Sequence, residues 1–241
     1  MEQYNGVENM KWDNSYNNLD WQTEITNYKQ KLQAAKQVAK MVNNGDVIGF
    51  GSGSTSFLAV KEIAKKLEDK NIKIKAIPTS REIYFACVQL GIPIITLNEE
   101  RPDWTFDGAD EVDPNNNLIK GRGGAMFNEK LVMSSSSTNY IIVDDSKLVA
   151  SLGSKFPIPV EVHPNALMYV KSRIGELSPR EMRLRLARMK DGPIITENGN
   201  FILDIYFDKI LYDLEGKLKA IPGVIESGLF IGYNVNIIKV E

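Results

Sequence analysis

Four ionisable residues, Asp107, Asp110, Lys120 and Glu129, fall in the single stretch DGADEVDPNNNLIKGRGGAMFNE. Carboxylates and an ammonium brought together are the parts of an acid–base site. One carboxylate can take a proton from carbon, the lysine can steady the oxyanion that results, and the other carboxylates can hold hydroxyl groups. Taken singly, each has a plainer explanation, since Asp and Gly build surface turns and a lone Glu is ordinarily a solvated helix residue. It is the combination with Gly121, Gly123 and Gly124 that points to chemistry, and residue types alone leave several reactions open.

The flanking elements show how these groups would meet. Trp104-Thr105-Phe106 reads as a short buried strand broken by Gly108, so Asp107 and Asp110 emerge at its end beside Ala109. After a turn at Pro114, Leu118-Ile119 re-enter the core and present Lys120 near the same mouth. The glycines allow close ligand approach, and a helix then begins near Ala125. On it Ala125, Met126, Glu129, Val132 and Met133 share one side, which turns Glu129 inward.

A second loop lies upstream. The strand Asp46–Phe50 feeds Gly51-Ser52-Gly53-Ser54-Thr55, and the next helix carries Phe57, Val60, Ile63, Ala64 and Leu67 on one face. Such a loop aims amides and hydroxyls at an anion near the positive end of a helix. It is no dinucleotide fingerprint, because Ser54 stands where the third glycine belongs and no acid follows the strand Ile72–Ile77. It also lacks the lysine of a P-loop, so a smaller anion such as phosphate fits better.

Residues 1–25 lack hydrophobic periodicity and read as a loosely ordered extension, with Trp12 and Trp21 available to dock on the body or on a partner. Leu32, Ala35, Val38, Ala39 and Val42 then form a helical face, which by periodicity leaves Lys31 to solvent. Arg81–Leu90 reads as a helix, Ile92–Leu97 as a strand, and Tyr140–Val143 as a buried strand ending at Asp144-Asp145-Ser146-Lys147. Alternating strands and helices imply a mainly parallel open sheet, Rossmann-like, with function in the loops after Phe50, Ile77, Phe106 and Val143. Lys147 is placed to approach that crevice.

A different rhythm starts near Phe156. A strand at Val160–Val162, a helix from Asn165 to about Ser172, a half-buried strand Met182–Met189 with Arg183 and Arg185 outward, and a turn at Asn198-Gly199 come first. The strand Asn200–Phe207, a helix Leu214–Ala220 and the strand Gly223–Phe230 complete a β-α-β-β-α-β order, a smaller α+β, ferredoxin-like unit. The expected organisation is an extension (1–25), a main α/β catalytic domain (26–153), the smaller domain (154–230) and a tail (231–241) whose strand returns to the main body.

Composition narrows the classes. The 241 residues carry 29 basic and 31 acidic side chains, a formal charge of -2, so charge makes no case for nucleic acid. Cys87 is the only cysteine and His163 the only histidine, which excludes an intrachain disulfide and a thiolate or histidine metal site; both read as structural. No metal or cofactor is expected. No transmembrane run or signal-peptide core is present, and cytoplasmic residence is the default expectation.

From Lys31 to the end the chain resembles the ribose-5-phosphate isomerases of the A type. The resemblance rests on Gly49–Thr55, DGADEVD (Asp107–Asp113), KGRGGA (Lys120–Ala125) followed by Glu129-Lys130, and DDSK (Asp144–Lys147). It implies metal-independent interconversion of D-ribose 5-phosphate and D-ribulose 5-phosphate in the pentose phosphate pathway, by a homodimer or higher homo-oligomer. Glu129 matches the family's general base, and Asp107, Asp110 and Lys120 match the groups at the reacting oxygens. Ser52, Gly53, Ser54 and Thr55 match the substrate loop, with Gly108, Ala109, Gly121, Arg122 and Gly123 alongside. Lys31 and Lys147 match basic residues at the phosphate end. Arg122 stands where some members have glycine. A sugar-phosphate sensor without catalysis and an isomerase of another phosphosugar are the alternatives.

Overall fold

The computed structural model describes Trp21 and residues 24–240. In chain order its first elements are α1 (Tyr28–Met41), β1 (Val47–Phe50), α2 (Gly53–Lys70), β2 (Lys75–Pro78), α3 (Arg81–Gln89), β3 (Trp104–Gly108), β4 (Glu111–Val112), β5 (Leu118–Ile119), α4 (Met126–Ser135) and β6 (Thr138–Asp144). There follow β7 (Ile158–Val162), α5 (Leu167–Gly175), β8 (Glu181–Leu184), β9 (Phe201–Tyr206), α6 (Leu214–Lys219), β10 (Val224–Ser227), β11 (Leu229–Phe230) and β12 (Asn236–Val240).

The first sheet has five parallel strands in the order β12-β6-β3-β1-β2. Strand β1 is apolar and buried throughout because helices cover both faces of a parallel sheet. On one face Ala35 and Val38 of α1 and Val60 and Ile63 of α2 pack over Ile48, Phe50 and Phe106; on the other, Val132 of α4 meets Val47 and Ile77. From β1 the chain crosses to β2 on one side, and from β3 to β6 on the other. The loops leaving β1 and β3 therefore diverge, and a crevice opens at the strands' carboxyl ends.

The second sheet is antiparallel, β10-β7-β9-β8, the arrangement of a split βαβ unit. Val160, Val162 and Leu203 pack there against Val170 and Ile174 of α5 and Leu218 of α6. A small third sheet, β11-β5-β4, sits between the two, and β12 brings the tail back beside β6.

Several sequence expectations are corrected. Ile92–Leu97 forms no strand and keeps a single bridge, Ile94 to Ala76, since Pro93 has no N–H to continue a ladder. Met182–Met189 is not one strand: β8 ends at Leu184, Leu186 bridges Pro193, and Met189 is exposed. Gly223–Phe230 divides at Gly228, whose amide bonds back to Pro159 while its carbonyl turns to the Lys120 amide. Trp12 lies outside the described residues, whereas Trp21 packs on Phe57 with ring centroids 5.6 Å apart. Cys87 is buried, and His163 caps the turn after β7 by accepting the Asn165 amide at 3.3 Å. Among the described residues no helix is long and apolar enough to cross a membrane.

Candidate active site

Asp107 is the penultimate residue of β3, where its Oδ1 accepts the amides of Gly108 (2.7 Å) and Ser52 (3.1 Å). Those two bonds tie the loops after β1 and β3 together and fix the carboxylate. The chain then runs through a tight hairpin. Asp113 Oδ1 accepts the Asn115 and Asn117 amides, Asn116 takes φ 61° between them, and the Asp110 amide bonds to Ile119 O at 2.8 Å. The hairpin thereby delivers Lys120 to the end of β3. Its Nζ lies 2.9 Å from Asp107 Oδ2 and donates to Gly108 O at 2.5 Å.

Beyond Lys120, Gly121 (φ 99°) and Gly124 (φ 82°) adopt the left-handed backbone that lets the loop fold back on itself. The Arg122 amide donates to Asp110 Oδ2 at 3.2 Å, and α4 starts directly after. Glu129 is buried on that helix beside Met126, Val132 and Met133, and its Oε2 stands 3.3 Å from Lys120 Nζ without a directed hydrogen bond.

These three charges are out of water, which sets their protonation. Burial pushes the Glu129 carboxyl up to about 8, with Asp107 adding to the rise and Lys120 opposing it. Burial also raises Asp107 against the pull of Lys120 and the two amides. For Lys120 burial disfavours the charge, but Asp107 and then Glu129 outweigh it, so the ammonium is held more firmly than usual. A permanent cation thus sits between two carboxyl groups that take up protons more readily than exposed ones.

A cavity of about 430 Å³ leads from these groups to a cationic end. There Lys31 Nζ donates to Ser54 Oγ at 3.1 Å. Burial lowers the Lys31 pKa, with Lys147 and Arg122 adding and Asp144 opposing. The side chains of Arg122 and Lys147 both lie over Phe156, 5.7 and 5.5 Å from its ring centre. Three like charges at one end of a cavity, beside the amino end of α2, form a seat for a multiply charged anion. Among the described residues no three His, Cys, Asp or Glu side chains converge as a metal site would need.

The family model for ribose 5-phosphate isomerase A (phosphoriboisomerase A) matches residues 75–240. The chain belongs to the ribose-5-phosphate isomerase A family. It is 42% identical to ribose-5-phosphate isomerase A of Methanocaldococcus jannaschii over 208 residues, 86% of this chain and 92% of that one. The solved structure of the isomerase from that organism superposes with a TM-score of 0.86 at 40% identity, covering 90% of this chain and 96% of the other. A D-ribose-5-phosphate isomerase in complex with phospho-erythronic acid superposes with a TM-score of 0.85 at 40% identity, over 88% of this chain and 94% of the other.

Against this ribose-5-phosphate isomerase A background, the cavity gathers Lys31, Ser52, Gly53, Ser54, Thr55, Gly108, Ala109, Asp110, Lys120, Gly121, Arg122, Gly123, Glu129 and Lys147. Asp107 does not line it and instead touches Lys120 from behind. Lys31, which periodicity assigns to solvent, is half-buried and points into the cavity.

Three further residues lie outside the candidate set that the sequence gives. Glu82 lines the cavity and accepts the Gly53 amide at 2.7 Å; its carboxyl is raised by burial despite that bond, with Glu197 and Asp107 adding. Its place in the first turn after the Ser80 cap was the available clue. Glu111, inside DGADEVD, is fully buried and accepts the amides of Gly153, Lys155 and Phe156, which fixes the ring under Arg122 and Lys147. Arg185 departs from the expected outward direction. Arg183 is exposed, but Arg185 pairs with Asp204 and donates to Gly121 O (3.0 Å) and Arg122 O (2.9 Å), clamping the glycine loop from the second sheet.

Proposed function

We propose that this chain interconverts D-ribose 5-phosphate and D-ribulose 5-phosphate, with Glu129 moving a proton between C2 and C1 through a cis-enediolate. The observation that carries this reading is the Glu129 carboxyl, buried in the wall of the cavity with its Oε2 3.3 Å from the Lys120 ammonium. With the phosphate seated among Lys31, Arg122 and Lys147, the other end of a five-carbon chain reaches toward Glu129 and Lys120.

In the aldose-to-ketose direction Glu129, ionised, takes the C2 hydrogen as a proton, and the electron pair left behind forms the C1=C2 bond while charge moves to O1. Lys120 steadies that oxyanion without giving up its proton, since Asp107 holds it charged. A proton then passes from O2 to O1, for which Asp110, the one of the two aspartates that lines the cavity, is the candidate shuttle. Glu129 returns its proton to C1 and the C2 ketone is left. Positioned proton transfer of this kind contributes roughly 10²–10⁴-fold. Asp107 acts by orienting Lys120 and Ser52 rather than by touching the sugar.

The relative solved with phospho-erythronic acid supports the ligand class, because that compound is a phosphorylated sugar acid. The deciding experiment incubates metal-free protein with ribose 5-phosphate in deuterated water. Ketose should appear with deuterium on carbon, and Glu129→Gln should stop both while still binding the sugar phosphate. Binding by the wild type with no exchange of the C2 hydrogen would mean a sensor.

We also infer a homo-oligomer. The exposed apolar side chains Met168, Tyr169, Leu211 and Tyr212 support it, and sedimentation at micromolar concentration showing only monomer would overturn it.

A further inference from the structure

The approach to α1 contributes a wall of the substrate cavity that the motif residues do not account for. Trp21, Glu24, Ile25 and Thr26 line the same cavity as Lys31, Ser54 and Lys147. This approach is fastened on both sides. Trp21 packs on Phe57, which lies in α2 just beyond its first turn, Gly53–Thr55. Lys31 Nζ bridges Thr26 Oγ1 (3.4 Å) and Ser54 Oγ (3.1 Å). Across the cavity Asn27 Nδ2 donates to Asp144 Oδ2 at 3.2 Å, and the other oxygen of Asp144 accepts the Ser146 amide, capping the turn that carries Lys147. Asn27 does this from a left-handed backbone (φ 55°, ψ 37°), a conformation that asparagine tolerates better than most non-glycine residues.

The consequence is mechanical. Lys31, Lys147 and Arg122 come from three separate parts of the chain and repel one another, so before an anion arrives something else must hold them at one spacing. We propose that Trp21 and Asn27 are positioning residues for phosphate capture, fastening the approach to α1 across the first turn of α2 and the Lys147 turn so that the cationic seat is formed before substrate binds. The inference rests on the reading of this end of the cavity as the phosphate seat.

The test compares Trp21→Ala, Trp21→Phe, Asn27→Gly and Lys31→Ala in the full chain. Asn27→Gly keeps the left-handed backbone accessible and removes only the Asp144 bond, so it remains informative should Trp21→Ala lose its fold. For Trp21→Ala and Asn27→Gly, KM for ribose 5-phosphate and the inhibition constant of inorganic phosphate should rise together, roughly five- to tenfold, with kcat within about twofold of wild type. Trp21→Phe should recover most of the loss. Should KM and the phosphate constant both stay within about twofold of wild type in folded variants while Lys31→Ala raises them, the positioning role is wrong and the phosphate seat stands. No rise in Lys31→Ala either would remove the seat itself, and the inference with it. A fall in kcat with the phosphate constant unmoved would also overturn the proposal.

Discussion

The carboxylate of Asp107 lies directly over the backbone of Gly51: a Cβ on that glycine would sit 2.2 Å from Asp107 Cγ and 2.3 Å from its Oδ1. The absent side chain is what lets the loop after β1 reach the carboxylate and give it the Ser52 amide. Gly51→Ala must therefore move Asp107, and with it the Lys120 ammonium. We expect kcat/KM to fall at least about 10²-fold, as when an oxyanion contact is lost. Stability should fall by about 1–3 kcal/mol for the overpacking. A folded variant turning over at the wild-type rate would show that Asp107 has another place to go.

The raised pKa of Glu129 has two consequences of opposite sense. As a base it works only when ionised, so kcat/KM should fall tenfold per pH unit below a midpoint near 8, well above an ordinary carboxyl's, with Asp107 titrating in the same set. As a folded-state group it binds a proton more tightly than in the unfolded chain, so stability falls as pH rises from about 4.5 toward 8. Glu129→Gln should lose turnover by roughly 10²–10⁴-fold. It should nevertheless melt at least about 2 °C above wild type at pH 9, with that advantage gone near pH 4. Equal melting temperatures across that range, measured by calorimetry, would show that the carboxyl is not destabilised by its surroundings.

Arg185 is expected to act on the reaction without meeting the substrate. It holds the carbonyls of Gly121 and Arg122, and the Arg122 amide holds Asp110, so the clamp runs from the second sheet to the cavity wall. Arg185→Ala should reduce kcat/KM by roughly 10–100-fold, with a change in KM showing that the glycine loop has shifted. Asp204→Ala should reproduce much of the effect, since Asp204 holds the guanidinium by two contacts, and the double variant should be little worse than either one. Strict additivity in the cycle would separate the pair from the loop.

Much of this is legible in the amino-acid sequence. The four ionisable groups sit in one stretch, the alternation of strands and helices fixes the parallel sheet, and α4 turns Glu129 inward by the spacing of Met126, Val132 and Met133. What escaped depends on partners far along the chain. Glu111 looks like one more acid in a turn until the amides of 153–156 arrive, and Arg185 alternates like a solvent-facing residue until the glycine loop packs beside it. Local pattern also misreads a backbone interruption, as at Ile92–Leu97, where Pro93 leaves only a bridge. Trp21 carries no periodic signal at all, because its place depends on tertiary packing, with Phe57 among its neighbours.

Lys130 supplies a last prediction, about stability. It follows Glu129 on α4 and points the other way, into a buried cluster where its Nζ meets Glu215 Oε1 (2.6 Å), Glu226 Oε1 (2.9 Å) and the Leu229 carbonyl (2.7 Å), 4.6 Å from the centre of the Phe230 ring. Glu226 is raised by burial, but Lys130 and its hydrogen bonds outweigh this and hold its carboxyl below the ordinary value. Its contribution to stability is therefore complete above that ordinary value and is lost as pH falls through the depressed one. Lys130→Met removes the cation shared by the buried Glu226 and the half-buried Glu215, leaving Glu226 only the more exposed Lys219 at 3.0 Å. A cost toward the roughly 3–5 kcal/mol of a broken buried pair is expected, about 3 kcal/mol. At roughly 2–4 °C per kcal/mol the melting temperature should drop by about 10 °C at pH 7. Because protonation relieves the stranded acids, the gap between variant and wild type should narrow as pH is lowered. Adding Glu215→Gln and Glu226→Gln should restore part of the loss at pH 7. A Lys130→Met protein melting with wild type at that pH would mean that the cluster holds the two sheets together no better than the apolar contacts around it.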